Sequence, residues 1–218
     1  MPALSPALRG RGPMSGLHNR GFSDDPGFQT LVDRYESWRG RWASVTGNEP
    51  SRNSAELSDG RLWFCDGYPY PDWTGRAIEP NGIGYLVTRV TTERTNTPRM
   101  SVEAIYSRFD DAGKHLIVGI GDALRMASGL EPLYRRWQQL GISDDVEKGS
   151  ADLRVAQFIA QYNDVSPDAV QRFVHKYSAR SEPERRAHLT SSDEPISRVL
   201  TLSYDELDSL LTEGLVAI

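Results

Sequence analysis

Gly84-Tyr85-Leu86-Val87-Thr88-Arg89-Val90-Thr91-Thr92-Glu93 is followed, after Thr95-Asn96-Thr97-Pro98, by Met100-Ser101-Val102-Glu103-Ala104-Ile105-Tyr106. Both runs are rich in β-branched and aromatic residues, and in the second Met100, Val102, Ala104 and Tyr106 fall at alternate positions, with the polar Ser101 and Glu103 between the first three. That period of two predicts two strands, and the Thr-Asn-Thr-Pro segment has turn chemistry. Arg61 to Cys65 predicts a shorter strand upstream. Strands this close in sequence pair as an antiparallel meander, whose apolar face has to be covered by helices.

The helices are found on both sides of the meander. Before it, Phe28, Leu31, Tyr35, Trp38, Trp42 and Val45 recur at steps of three and four, predicting a helix over 25–45. Asp24 and Asp25 ahead of Pro26 supply its start signal. After the meander, Ala112, Leu116, Ile120 and Leu124 form one stripe of a helix beginning at Asp110. Its Gly113, Gly119 and Gly121 each cost roughly 1 kcal/mol of propensity relative to Ala, and suit close packing against a neighbour. A short helix from Leu133 to Leu140 closes at Gly141. From Ser150 onward the pattern is mainly helical: one helix carries Leu153, Phe158, Ile159 and Tyr162, and another opens at Ser166-Pro167 and carries Val170, Phe173, Val174 and Tyr177. Ser178 to Pro195 reads as a charged linker and Arg198 to Leu202 as a final strand. Ser203 with Glu206 makes a capping box for a last helix. The expected fold is therefore α+β, an antiparallel meander packed against helices with a mainly helical C-terminal region. Residues 1–22 are expected to be a disordered tail, with Met14 as a second candidate start. An α+β domain is expected over 23–148, and a helical region with a final strand and helix over 149–218.

Composition narrows the function classes. The 218 residues carry a formal charge of −5, which opposes electrostatic binding to phosphate backbones. The lone cysteine, Cys65, excludes an internal disulfide and fits a reducing, cytoplasmic setting. No apolar run approaches the ~18 residues of a membrane span. Residues 1–20 contain prolines and arginines, with no continuous apolar stretch of a secretory signal.

Residues that could carry chemistry have ordinary structural explanations. Asp24-Asp25 and Asp110-Asp111 sit at helix starts, where carboxylates satisfy N–H groups, and Asp144-Asp145 falls in a loop. Gly119-Ile120-Gly121 lacks the third glycine of a dinucleotide fingerprint and lies inside a helix. Cys65, in a predicted strand beside Trp63 and Phe64, reads as a buried thiol. His18, His115, His175 and His188 lack metal-ligand spacing. No catalytic, cofactor-binding or metal-binding residue is assigned, and no enzymatic activity is expected.

Two features point toward binding instead. Asp66-Gly67-Tyr68-Pro69-Tyr70-Pro71-Asp72-Trp73-Thr74-Gly75-Arg76 places three aromatics, two prolines and an arginine in a loop between predicted strands. Prolines lower the entropy lost on docking, and Tyr, Trp and Arg are enriched at interface hot spots. Asp66, Tyr68, Tyr70, Asp72, Trp73 and Arg76 are the expected partner contacts; the aromatics Tyr68, Tyr70 and Trp73 can equally fold back as a lid on the core, and the two roles are not exclusive. The alternative is a helix-turn-helix over 153–177 reading DNA with Arg172, His175 and Lys176, set against the acidic charge of the chain.

Four pieces resemble an antitoxin family, that of the immunity factor for tuberculosis necrotizing toxin, an NAD glycohydrolase. They are Arg41-Trp42-Ala43 with Gly47; Asp59-Gly60-Arg61-Leu62-Trp63-Phe64; Gly84-Tyr85-Leu86-Val87-Thr88-Arg89; and Asp111-Ala112-Gly113-Lys114-His115-Leu116 followed by Gly121, Arg125 and Gly129-Leu130. They span roughly residues 38–140. The loop at 66–76 and the region 150–177 have no counterpart. The resemblance implies neutralisation of a cognate toxin by a non-catalytic complex, without a cofactor, and assigns no individual contact residue.

Overall fold

The computed structural model describes residues 25–92 and 98–215. The expected tail, Asp24 and most of the Thr95–Pro98 turn lie outside these. In chain order the elements are α1 (Gly27–Thr46), β1 (Glu56–Ser58), β2 (Arg61–Asp66), β3 (Thr74–Asn81), β4 (Gly84–Thr91), β5 (Arg99–Tyr106), α2 (Phe109–Ala127) and α3 (Leu133–Leu140). They continue with β6 (Val146–Ser150), α4 (Leu153–Asn163), α5 (Pro167–Phe173), β7 (Val174–Ala179), β8 (Glu182–Thr190), a 3-10 segment (Ser191–Thr201) and α6 (Tyr204–Thr212).

One eight-stranded sheet in the order β1-β2-β3-β4-β5-β8-β7-β6 joins all the strands, and every adjacent pair is antiparallel. β2, β4 and β5 are the strands expected of the meander; β1 and β3 are additional, and β3 takes in Thr74 to Arg76 of the stretch expected as a loop. β1 and β2 are linked by Asp59-Gly60, both at positive φ, which matches the twist of a two-residue hairpin. Gly84 is held at φ +142°, and a Cβ there would overlap the carbonyl oxygen of Tyr106 on the paired strand. Only glycine lets β4 start that close to β5.

The C-terminal region is rich in helix, as expected, but its details differ. The helix opened by Ser166-Pro167 ends at Phe173, and Val174 to Ala179 form β7. The segment expected as a linker supplies the end of β7, all of β8 and the start of the 3-10 segment. In β8 the apolar Ala187 and Leu189 alternate with Arg186 and His188, and the charged run before them hides that alternation. Arg198 to Leu202 is not a strand: Arg198–Thr201 end the 3-10 segment, whose Ile196, Val199 and Leu200 are buried at helical spacing. The Thr190 side chain accepts the Asp193 N–H at its start. Lys148-Gly149, expected as a boundary, lies inside β6, and one core cluster includes residues from both sides of it.

The two sheet faces are covered by different helices. Leu62, Phe64, Ile78, Val87, Ala104, Tyr106 and Leu189 pack with α1, α2, α3, the 3-10 segment and α6. On the other face Leu86, Val102 and Ile105 meet α4 and α5 through Val155, Ile159 and Val170. α1 buries the expected stripe, led by Leu31, Tyr35 and Trp38. Asp25, just ahead of the helix, accepts the Gly27 N–H at 2.9 Å, and its second oxygen accepts from the Tyr85 hydroxyl of β4 at 2.8 Å.

α2 is the central helix and is buried along most of its length. A Cβ at Gly113 would press on Leu31 of α1, and one at Gly121 would sit 2.7 Å from Leu211 of α6, so these glycines set the helix separations. Its charged residues tie down its neighbours. Asp122 accepts the N–H groups of Leu133 and Tyr134 at the start of α3, at 2.5 and 2.9 Å. Arg125 donates to the carbonyls of Glu131, Leu211 and Glu213.

Gly84→Ala is expected to lower unfolding stability by roughly 2 kcal/mol or more. Gly40→Ala, on the exposed side of α1 where a Cβ meets nothing, should raise it by about 0.5–1 kcal/mol. Urea denaturation of both variants checks the pair.

Candidate partner-binding site

The β2–β3 loop is fixed at both roots. The Gly67 N–H donates to Ser51 O at 3.0 Å, and Asn53 donates through its backbone to Cys65 O and through Nδ2 to Tyr68 O, each at 2.9 Å. At the far root both the backbone N–H and the hydroxyl of Thr92 donate to Trp73 O, at 3.2 and 3.0 Å. Within the loop the Tyr70 N–H closes a turn onto Gly67 O at 2.9 Å, and Asp72 takes a left-handed conformation (φ 64°).

This frame sorts the expected contacts into two groups. Trp73 is 7% exposed and packs with Trp63, Cys65, Ala77 and Val90. Tyr68 lies edge-on to it, with ring centroids 5.4 Å apart. These two aromatics form the lid. Tyr70 is 73% exposed at the loop tip, with exposed Pro69, Pro71 and Asp72 around it. Asp66 and Arg76 belong to the flanking strands. Asp66 lies 3.9 Å from Arg52, and Arg76 pairs with Glu103 at 2.7 Å on the sheet face that α2 covers. Only Tyr70, Asp72 and the two prolines therefore make a presented surface. Asn53 and Thr92, which hold the loop, carry no sequence signal, because their role depends on a fold that brings them to it.

The helix-turn-helix is corrected by the structure. Arg172 lies in the last turn of the seven-residue α5, whereas His175 and Lys176 lie in β7 and point to opposite faces of the sheet. Lys176 is paired with Asp152 at 2.8 Å, and no recognition helix holds the three residues on one side. The short alternating run Val174 to Ala179 answers to strand period, not helix period.

The remaining polar features are accounted for by packing. Asp111 is fully buried in an ion-pair cluster with Lys114 and Arg185, at 2.6 and 2.7 Å. Burial pushes the Cys65 thiol up to about 12. Gly119-Ile120-Gly121 lies within α2, away from any strand-to-helix turn. Among the described residues no group of three or more His, Cys, Asp or Glu could hold a metal ion. An open groove of about 780 Å³ lies where the ends of α1 and α2 meet, lined by Trp42, Val45, Ser51 and Ala127. No helix among the described residues is long and apolar enough to cross a membrane.

No protein-family model matches the chain, and no curated protein matches it. Among solved structures it is similar to Rv3902c from M. tuberculosis, with 15% sequence identity and a TM-score of 0.49. The likeness covers 82% of this chain and 91% of that one.

Two buried histidines shape the acid response. Burial, with the Arg76 guanidinium adding to it against Glu103, pushes His115 down to about 4. Burial, with Lys176 and Arg186 acting against Asp152, does the same to His188. An unfolded imidazole titrates near 6.5, so below that pH the unfolded chain binds protons the native one refuses. Their contribution to stability is complete above about pH 6.5 and is lost as pH falls toward 4. Replacing His188 by Gln should flatten the stability–pH curve in that window by up to ~1.4 kcal/mol per pH unit. Denaturation curves at pH 7 and pH 5 measure it, and parallel losses in both proteins would refute it.

Proposed function

We propose that this chain binds and occludes a cognate protein toxin as a stoichiometric inhibitor, without catalysis, and that the loop tip around Tyr70 is a principal contact. The observation that carries the reading is an exposed aromatic held between two prolines on a loop hydrogen-bonded at both roots. A side chain fixed in this way loses little entropy when it docks, and a tyrosine offers both apolar area and a hydroxyl. Asp72 adds a negative charge beside it, and the net charge of −5 favours encounter with a basic cleft.

The resemblance to an antitoxin family makes an NAD-consuming toxin the first partner to test. Its four pieces fall on or beside α1, β2, β4 and α2, the elements that build the meander and its central cover. The lid residues Tyr68 and Trp73 act indirectly, by holding the tip in place.

Affinity capture with the full chain from its native host is expected to return one stoichiometric protein. Tyr70→Ala should weaken that complex at least about tenfold, or ~1.4 kcal/mol, with unchanged thermal stability. Trp73→Ala should instead lower stability by roughly 3 kcal/mol. If the captured protein hydrolyses NAD, a one-to-one complex should abolish the turnover. Undiminished affinity in folded Tyr70→Ala would remove the loop from the interface.

A further inference from the structure

On the sheet face covered by α2, apolar residues give way abruptly to arginine. Ile78, Val87 and Ala104 on that face are fully buried. Moving toward the 66–74 loop, the same face continues with Thr74 and Arg76 on β3, Arg89 and Thr91 on β4, and Arg99 and Ser101 on β5, and none of these is buried. Here α2 passes close to the first arginine: a Cβ at Gly119 would lie 3.7 Å from Arg76 Nη1.

Arg76 and Arg89 stand directly opposite each other in the β3–β4 register, and Arg89 in turn faces Ser101 on β5. Like charges directly opposite on neighbouring strands are destabilising. A β-bulge relieves one of the two: the register shift between Val87 and Thr88 leaves Glu103 as an extra residue, and its carboxylate pairs with Arg76. Arg89 and Arg99 are exposed, and among the described residues neither guanidinium makes a hydrogen bond or an ion pair. They are diagonal neighbours across β4 and β5, a separation of about 7–8 Å at the backbone.

We infer that this strip docks an extended acidic segment of a protein partner, with carboxylates at alternate positions received by Arg89 and Arg99. Alternate side chains on one face of an extended segment repeat at about 6.6 Å, close to the diagonal spacing of the two arginines. A guanidinium fork receives a carboxylate through two parallel hydrogen bonds. A repeat of that length is a property of an extended polypeptide. Glu103 on the strip, Asp66 at its flank and the net negative charge of the chain oppose a continuous polyanion such as DNA. The inference rests on the protein-binding reading and adds the chemistry of a second contact, on the face opposite the aromatic lid.

The test uses the full chain and a fluorescein-labelled eight-residue Ser-Glu repeat, with the matching Ser-Gln repeat as control. Saturable binding of the acidic peptide is expected at low salt, with backbone amide shifts confined to 74–76, 89–91 and 99–101. Arg89→Ala with Arg99→Ala should weaken it at least fivefold, and Arg89→Lys should give an intermediate loss because the charge stays and the fork is gone. Equal binding of the Ser-Gln peptide, shifts mapping elsewhere, or unchanged affinity in the double variant would overturn the inference. So would a 20-base-pair duplex binding more tightly than the peptide through the same arginines. The assay does not involve Tyr70, so its failure would leave the loop-tip proposal standing, and the converse holds as well.

Discussion

Asp111 is a carboxylate with no exposed surface, and the C-terminal part of the fold is organised around it. Taking such a charge out of water costs several kcal/mol, which only close, fully hydrogen-bonded partners can offset. Lys114 and Arg185 provide them from α2 itself and from β8. Both cations also donate to the carbonyls of Val199 and Leu202, with the Lys114 ammonium 2.8 and 2.7 Å away. Those carbonyls lie at the end of the 3-10 segment, where regular structure leaves acceptors without partners. One buried carboxylate thus positions two cations, and the cations fix where the 3-10 segment stops and α6 starts. Such a cluster specifies an arrangement; its net contribution to stability need not be large.

The same logic recurs along α2. Asp122 closes the start of α3 and Arg125 the end of α6, so one helix supplies side-chain partners for three following segments. Gly113 and Gly121 let the neighbouring helices come close enough for those bonds to form. With α2 fixed on one face and α4 and α5 on the other, the loop-proximal end of the sheet lies beyond the helical cover. There the chain places an aromatic lid on one face and an arginine strip on the other, with Tyr70 at the tip between them.

Much of this architecture was legible in the sequence. β2, β4 and β5 were marked by their β-branched and aromatic runs, the stripes of α1 and α2 by a period near 3.6, and the α6 capping box by its own residues, whereas β1 and β3 carried no such mark. Where the reading failed, charge and brevity hid the period. β8 carries Glu182, Glu184, Arg185 and Arg186 before its apolar pair, so it resembled a linker, although Arg185 is there to meet Asp111. Val174 to Ala179 is too short for alternation to outweigh the helix ahead of it. The 66–76 loop stood out by composition, but its division into lid and tip did not, because that depends on Asn53 and Thr92 reaching it from distant positions. The pairing of Arg76 with Arg89 follows from strand register, which spacing alone leaves open.

The most direct measurement is native-state hydrogen exchange combined with urea unfolding of Asp111→Asn. That change keeps the size of the side chain and leaves buried Lys114 and half-buried Arg185 without the carboxylate that pairs them. The account predicts a loss of roughly 3–5 kcal/mol, with amides of residues 191–212 losing protection before those of the β2–β4 strands. A loss below about 1 kcal/mol with protection of residues 191–212 intact would contradict it.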